Sequence, residues 1–137
     1  MKNKLIIIFY LGSIVLNSCT NKIQENSVLD ETRYVGEYLD SDNNEANLEI
    51  AKCENGNYKV QIGIYRLTSL QDGVGELTSD GIKFTATDAA DNPISGIITV
   101  KNQTATVTFT NSTWDYLKSG SSYKYTKFSD NPKIDNE

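Results

Sequence analysis

The sequence has no histidine, only two cysteines and a single tryptophan. Without an imidazole, a serine or cysteine nucleophile has no ordinary base beside it, so triad chemistry has little support. A soft-metal centre is disfavoured for a related reason: Cys53 has neither a histidine nor a second cysteine nearby to share a metal. No glycine-rich phosphate loop and no dinucleotide fingerprint occurs, so no cofactor is expected. Positive charge is also in short supply, with 13 Lys and Arg against 18 Asp and Glu and a net charge of −5. That balance argues against nucleic acid as a partner and against electrostatic attachment to anionic lipid. Beyond residue 33 there is no amphipathic helical pattern of three turns, which leaves strands as the building material.

The first 18 residues read as a targeting segment and stand apart from the fold. Lys2 and Lys4 precede Leu5 to Leu16, an apolar run of twelve residues. As a helix this run spans about 18 Å, against about 30 Å of hydrocarbon, so it is too short for a permanent membrane span. It ends in Leu16-Asn17-Ser18-Cys19. That tetrapeptide resembles the lipobox of bacterial lipoproteins. The resemblance implies a type II signal peptide, a diacylglyceryl group on the Cys19 thiol, and cleavage that leaves Cys19 first; an ordinary secretory signal is the alternative. A mature lipoprotein carries at least two acyl chains, enough for firm anchoring. Loss of Lys2 and Lys4 takes Lys and Arg from 13 to 11 against the same 18 acids, a mature charge of about −7. Residues 19–33 are polar and read as a flexible tether. Once Cys19 is lipidated Cys53 has no partner. It is then a reactive thiol, a metal ligand or a small hydrophobe at a strand end, and the last is preferred.

From Tyr34 the hydrophobic period changes to two. Strands are expected over 34–39, 46–53, 58–67, 74–78, 82–87, 94–100, 103–110 and 121–128. Asn55-Gly56, Asp72-Gly73, Asp80-Gly81 and Lys101-Asn102 mark the turns, and Asn92-Pro93 closes a loop. The inward set is Leu48, Ile50, Val60, Ile62, Ile64, Phe84, Ile98, Val107 and Phe109. The expected fold is all-β: a small antiparallel meander of about eight strands over 34–128, closed or nearly closed into an up-and-down β-barrel, with a β-sandwich as the alternative. The polar tail, 129–137, is expected to fray.

Gly36-Glu37-Tyr38, Phe84-Thr85-Ala86-Thr87-Asp88, Ile94-Ser95-Gly96 and Ser112-Thr113-Trp114 together make the region 34–127 resemble small Bacteroidetes-type lipoproteins with a lipocalin-like barrel. The opening Gly-x-Tyr is similar to the Gly-x-Trp start of lipocalins. The resemblance implies a binding-type barrel and carries over no catalytic residue. Asn111 to Gly120 is the most distinctive stretch, because Trp114, Asp115 and Tyr116 stand together in it. Large amphipathic rings on a loop make good contact residues, yet Trp114 folded back as a plug for the barrel end is preferred. Tyr58, Tyr65, Tyr116, Tyr123 and Tyr125 either line a ligand cavity or divide between core rim and surface; the binding candidates are Trp114, Asp115, Tyr116, Tyr65 and Tyr123. The stretch Asp40 to Glu45 has oxygen ligands at alternate positions, as calcium loops do, but Glu45 stands where glycine is needed and Ala51 where a bidentate glutamate belongs. An Asx-rich hairpin loop is the better reading. Glu37, Glu49, Glu76, Asp72 and Asp115 are the carboxylates available for acid–base pairing.

Together these features lead to a non-catalytic, lipid-anchored binding protein of the cell envelope. Its partner is an envelope protein or a small apolar ligand. An inhibitor or immunity-type protein that neutralises a secreted factor and a small hydrolase with paired carboxylates are the alternatives. The residues after Cys19 lack a dense acidic run, which favours an outer-membrane location facing the periplasm over the cell surface. Cys19→Ser is expected to abolish incorporation of labelled palmitate and to shift the protein from the membrane fraction to the soluble fraction or an uncleaved precursor. Metabolic labelling with fractionation checks this, and an unlabelled, wholly soluble wild type refutes the anchor.

Overall fold

The structure, a computed structural model, describes residues 32–134. The signal segment, Cys19 and nearly all of the tether lie outside the described residues. Eight strands run in chain order: β1 Gly36–Asp40, β2 Asn47–Lys52, β3 Tyr58–Ile64, β4 Thr68–Thr78, β5 Gly81–Thr87, β6 Pro93–Lys101, β7 Thr104–Asn111 and β8 Ser122–Ser129. Each pairs antiparallel with the next, and β8 returns to β1, so the sheet is a closed up-and-down barrel of lipocalin-like architecture. Closure leaves no free sheet edge, which answers the exposure that eight short strands otherwise face. Among the described residues no helix is long and apolar enough to cross a membrane.

Alternation produces the barrel. In β3 the pattern Tyr58, Val60, Ile62, Ile64 faces inward while Lys59, Gln61 and Gly63 are half-exposed. The entire expected inward set is buried, and Tyr34, Tyr38, Tyr58, Leu70, Leu117 and Tyr125 join it. One cross-strand row brings aromatic rings into the core. Tyr58 pairs with Gly75, Gly75 with Phe84, Phe84 with Gly96, and Gly96 with Phe109. Rings and glycines alternate around the wall. A Cβ on Gly96 would collide with the Thr108 carbonyl oxygen and stand 2.8 Å from Phe84 Cζ. Phe84 uses that space to meet Phe109 edge to face, with ring centroids 5.8 Å apart.

Several boundaries differ from the sequence expectation. Asp72-Gly73 is not a turn: β4 begins at Thr68 and runs straight through it. The dipeptide sits at a bulge against β3, where the register shifts between Val60 and Ile62, and a Cβ on Gly73 would lie 2.5 Å from the Val60 carbonyl oxygen. The real turn is Tyr65-Arg66-Leu67, with Arg66 at φ 58° and the Leu67 amide donating to the Ile64 carbonyl at 3.0 Å. It carries none of the usual Gly or Asn signal. The tail is also held further than expected. The Lys133 amide donates to Glu49 Oε1 at 2.6 Å and its ammonium lies 3.4 Å from Glu37 Oε1. These outward-facing glutamates are register partners, and the segment after β8 folds over them.

The barrel has two unlike ends. The loop end carries the connections 41–46, 65–67, 88–92 and 112–121. The root end carries the chain's approach to β1, the short turns 53–57, 79–80 and 102–103, and the segment after β8. Ile62→Ala is expected to cost about 2–5 kcal/mol and Gly96→Ala about 1–3 kcal/mol by overpacking. Lys83→Ala on the outer wall should stay within about 0.5 kcal/mol. Urea unfolding of the three variants checks the register. A loss below about half a kcal/mol for Ile62→Ala would place that side chain outside.

Candidate functional site

The interior is lined by large buried side chains. The largest fully buried side chains include Tyr38, Tyr58, Tyr125, Phe84 and Phe109. Two phenols are placed as ties. Tyr38 donates to the Tyr34 carbonyl at 2.7 Å near the root end. Tyr125 crosses from β8 to donate to the Gly63 carbonyl of β3 at 2.7 Å. Burial pushes both phenols well above the usual tyrosine range, reinforced by Asp130 and Tyr34 at Tyr38 and by Asp40 and Tyr123 at Tyr125.

A cavity of about 460 Å³ lies on the outer wall across β4, β5 and β6. Its floor is the backbone of Gly75, Phe84 and Gly96. Val74, Thr85 and Ser95 form one bank, Glu76, Lys83 and Ile97 the other. It is the outside of the ring-and-glycine row: a trough between two ranks of outward side chains. No acid–base pair converges in it.

The aromatic candidates divide by location. Leu117, not Trp114, is the plug of the loop end: Leu117 is fully buried, whereas Trp114 is half-buried and packs on the edge of the core. The smaller aliphatic side chain fits beneath the loop, and the indole is left at the rim. Trp114 meets Tyr116 edge to face at 5.6 Å, and Tyr116 is 75% exposed. Asp115 between them is exposed. The loop that presents these residues is tied at both ends. The Phe109 amide donates to the Ser121 carbonyl at 2.9 Å, and the Gly120 amide to the Phe109 carbonyl at 2.7 Å. Ser119 Oγ accepts from the Ser112 amide at 3.0 Å, and Ser112 Oγ from the Trp114 amide at 3.2 Å. The aromatic pair is therefore held in place before any contact is made.

Tyr65 stands at the same end in the β3–β4 turn, with the Arg66 guanidinium 5.1 Å from its ring centroid. Tyr123, the second residue of β8 and so also at the loop end, is half-buried against Phe109, centroids 6.2 Å apart, and packs on the core. The loop after β1 is an Asx-turn structure, with Asp40 Oδ1 accepting from the Asp42 amide at 2.8 Å and Asn43 Oδ1 from the Glu45 amide at 2.9 Å. Asp88 builds the loop after β5 in the same way through the Ala90 and Asn92 amides. The Thr87 hydroxyl, and then its amide, hold exposed Asp72 below the usual carboxylate range. Of the candidate carboxylates, only Glu37 and Glu49 meet as register partners, on the outer wall with Lys133 between them. Cys53 is half-buried just past β2 and unpaired. Among the described residues no three His, Cys, Asp or Glu side chains gather to hold a metal.

No protein-family model matches this chain, and neither the curated proteins nor the solved structures contain a significant match to it.

The buried phenols make an alkaline prediction. Their folded-state values are raised, so their stabilisation is fully present below the ordinary tyrosine value of about 10 and is lost as pH rises above it. Each should contribute a fall of about 1.4 kcal/mol per pH unit there. Tyr38→Phe and Tyr125→Phe should each flatten that slope, measured by urea unfolding between pH 9 and 11.5, buffer range chosen at about those limits. An unchanged slope in both refutes the assignment.

Proposed function

We propose that this protein is a lipid-anchored binding module of the bacterial cell envelope that engages a protein partner through the loop end of its barrel. The observation that carries the reading is the Trp114–Tyr116 pair, held on a braced loop at the end opposite the chain's approach to β1. The described chain enters β1 at the root, and the rings stand at the other end of the barrel. Trp, Tyr and Arg dominate protein-contact hot spots, and rigid aromatic rings bring large area at low entropic cost. The core of large buried side chains supports recognition on the outside of the barrel rather than carriage of an apolar ligand within it. The lipobox-like Leu16 to Cys19 supports the anchor, and the sparse acidic residues after Cys19 favour the periplasmic face of the outer membrane.

A photoreactive phenylalanine analogue at position 116, in cells, tests the reading. A light-dependent adduct with a second protein is expected from position 116 and not from position 128, an exposed phenylalanine site on β8. Trp114→Ala should reduce recovery of that partner by about tenfold or more. No adduct at 116, or equal adducts at both positions, refutes the loop-end module.

A further inference from the structure

We infer that the loop end is built to dock a positively charged protein surface. This rests on the loop-end reading above and names the chemistry of its partner. That end exposes Asp42, Glu45, Asp91 and Asp115, with Arg66, Lys118 and, at the start of β8 beside Ser41, Lys124 of opposite sign. The root end is mixed by contrast, with Lys52, Lys101 and Lys133 set among Glu54, Asp80 and Asp130. With buried Asp40 and Asp88 included, six acids stand against three cations at the loop end, an acidic excess around the exposed rings.

A second observation strengthens the pole. Asp88 continues the inward row of β5 to the loop end, is 4% exposed, and uses Oδ1 for two backbone amides. Its Oδ2 has no hydrogen-bond partner. A buried carboxyl oxygen left without a partner at the mouth of the barrel is a group that calls for a donor. The rings complete the site. Asp115 lies between Trp114 and Tyr116 in sequence, so a lysine or arginine placed over either ring face would gain a cation–π contact close to a carboxylate.

The scale of the site points to a protein. The charges come from loops spread around the mouth of an eight-stranded barrel roughly 16 Å across, a span suited to a folded surface rather than a single amine. Phosphate-bearing partners, nucleic acid or an anionic membrane, are repelled by the same charges. Arg66 sits stacked over Tyr65 in a turn whose φ of 58° is unusual for arginine. It marks a position where the partner is expected to carry no cation of its own.

The test uses the full lipidated chain in uncharged phosphatidylcholine vesicles, with cytochrome c as a folded cationic probe and succinylated cytochrome c as its charge-reversed control. Co-sedimentation of the native probe at low salt is expected, weakening about tenfold or more towards physiological salt, with no binding of the succinylated form. Asp42→Asn/Asp91→Asn/Asp115→Asn should weaken binding about tenfold, while Glu54→Gln/Glu76→Gln/Asp80→Asn, the same change of charge elsewhere, should stay within about twofold. Thermal melts check that both variants fold. Absence of binding at low salt, or equal losses from the two triple variants, overturns the inference, the latter because net charge alone would then explain the attraction. The cross-link at position 116 separates the two levels. An adduct formed against an acidic or neutral partner face overturns the charge inference and leaves the binding module standing. Pole-specific probe binding without any adduct in cells upholds the charge chemistry and overturns the module.

Discussion

Phe84 stands between two glycines, Gly75 on β4 and Gly96 on β6, and the rest of the barrel is arranged around that fact. Eight strands enclose an interior just wide enough to be filled by side chains. Three aromatic rings at one level fit only if the strands between them contribute no side chain there. The Tyr58, Gly75, Phe84, Gly96, Phe109 row meets this condition, and Tyr123 extends it against Phe109. The same row shapes the outer wall, since its backbone forms the floor of the trough across β4 to β6. A filled interior and a grooved exterior are two faces of one packing solution.

An apolar core pushes polar obligations to the ends. Tyr38 and Tyr125 are buried phenols, and each meets its hydrogen-bonding requirement at a backbone carbonyl near one end of the barrel. The loop-end connections organise themselves around Asp40 and Asp88, whose carboxylates accept amides that no strand partner reaches. At the root end the segment after β8 crosses to Glu37 and Glu49 on the two strands beside the closing seam. Lys133 bridges these two glutamates, its ammonium lying beside Glu37 and its backbone amide donating to Glu49.

The two ends therefore differ in character. The root end is compact and mixed in charge; the loop end has the longer connections, the acidic excess and the exposed rings. Leu117 links core and surface: by filling the mouth of the barrel it fastens the loop that presents Trp114 and Tyr116. Recognition at such a site depends on the rigidity of the scaffold beneath it, which reduces the entropy lost on contact.

Strand identity was legible in the sequence wherever one face is buried and the other wet. Val60/Ile62/Ile64 and Ala105/Val107/Phe109 declare their faces by alternation alone, because a period of two is a local property of an extended chain; Leu48/Ile50 alternate likewise, although Glu49 and Ala51 on the other face of β2 are buried as well. So were the all-β class, the meander and the Asx character of the loop after Asp40. Asp72-Gly73 misled because the same dipeptide serves a turn or a bulge, and only the pairing with Val60 decides between them. Arg66 gave no warning of its turn, since its positive φ is imposed by the strands on either side. The burial of Leu117 beneath a half-exposed Trp114, the meeting of Glu37 with Glu49, and the gathering of acids from three separate loops at one end were likewise decided by tertiary structure. Each depends on which strand lies beside which and in what register. A linear pattern fixes the faces of a strand, but barrel closure fixes its neighbours.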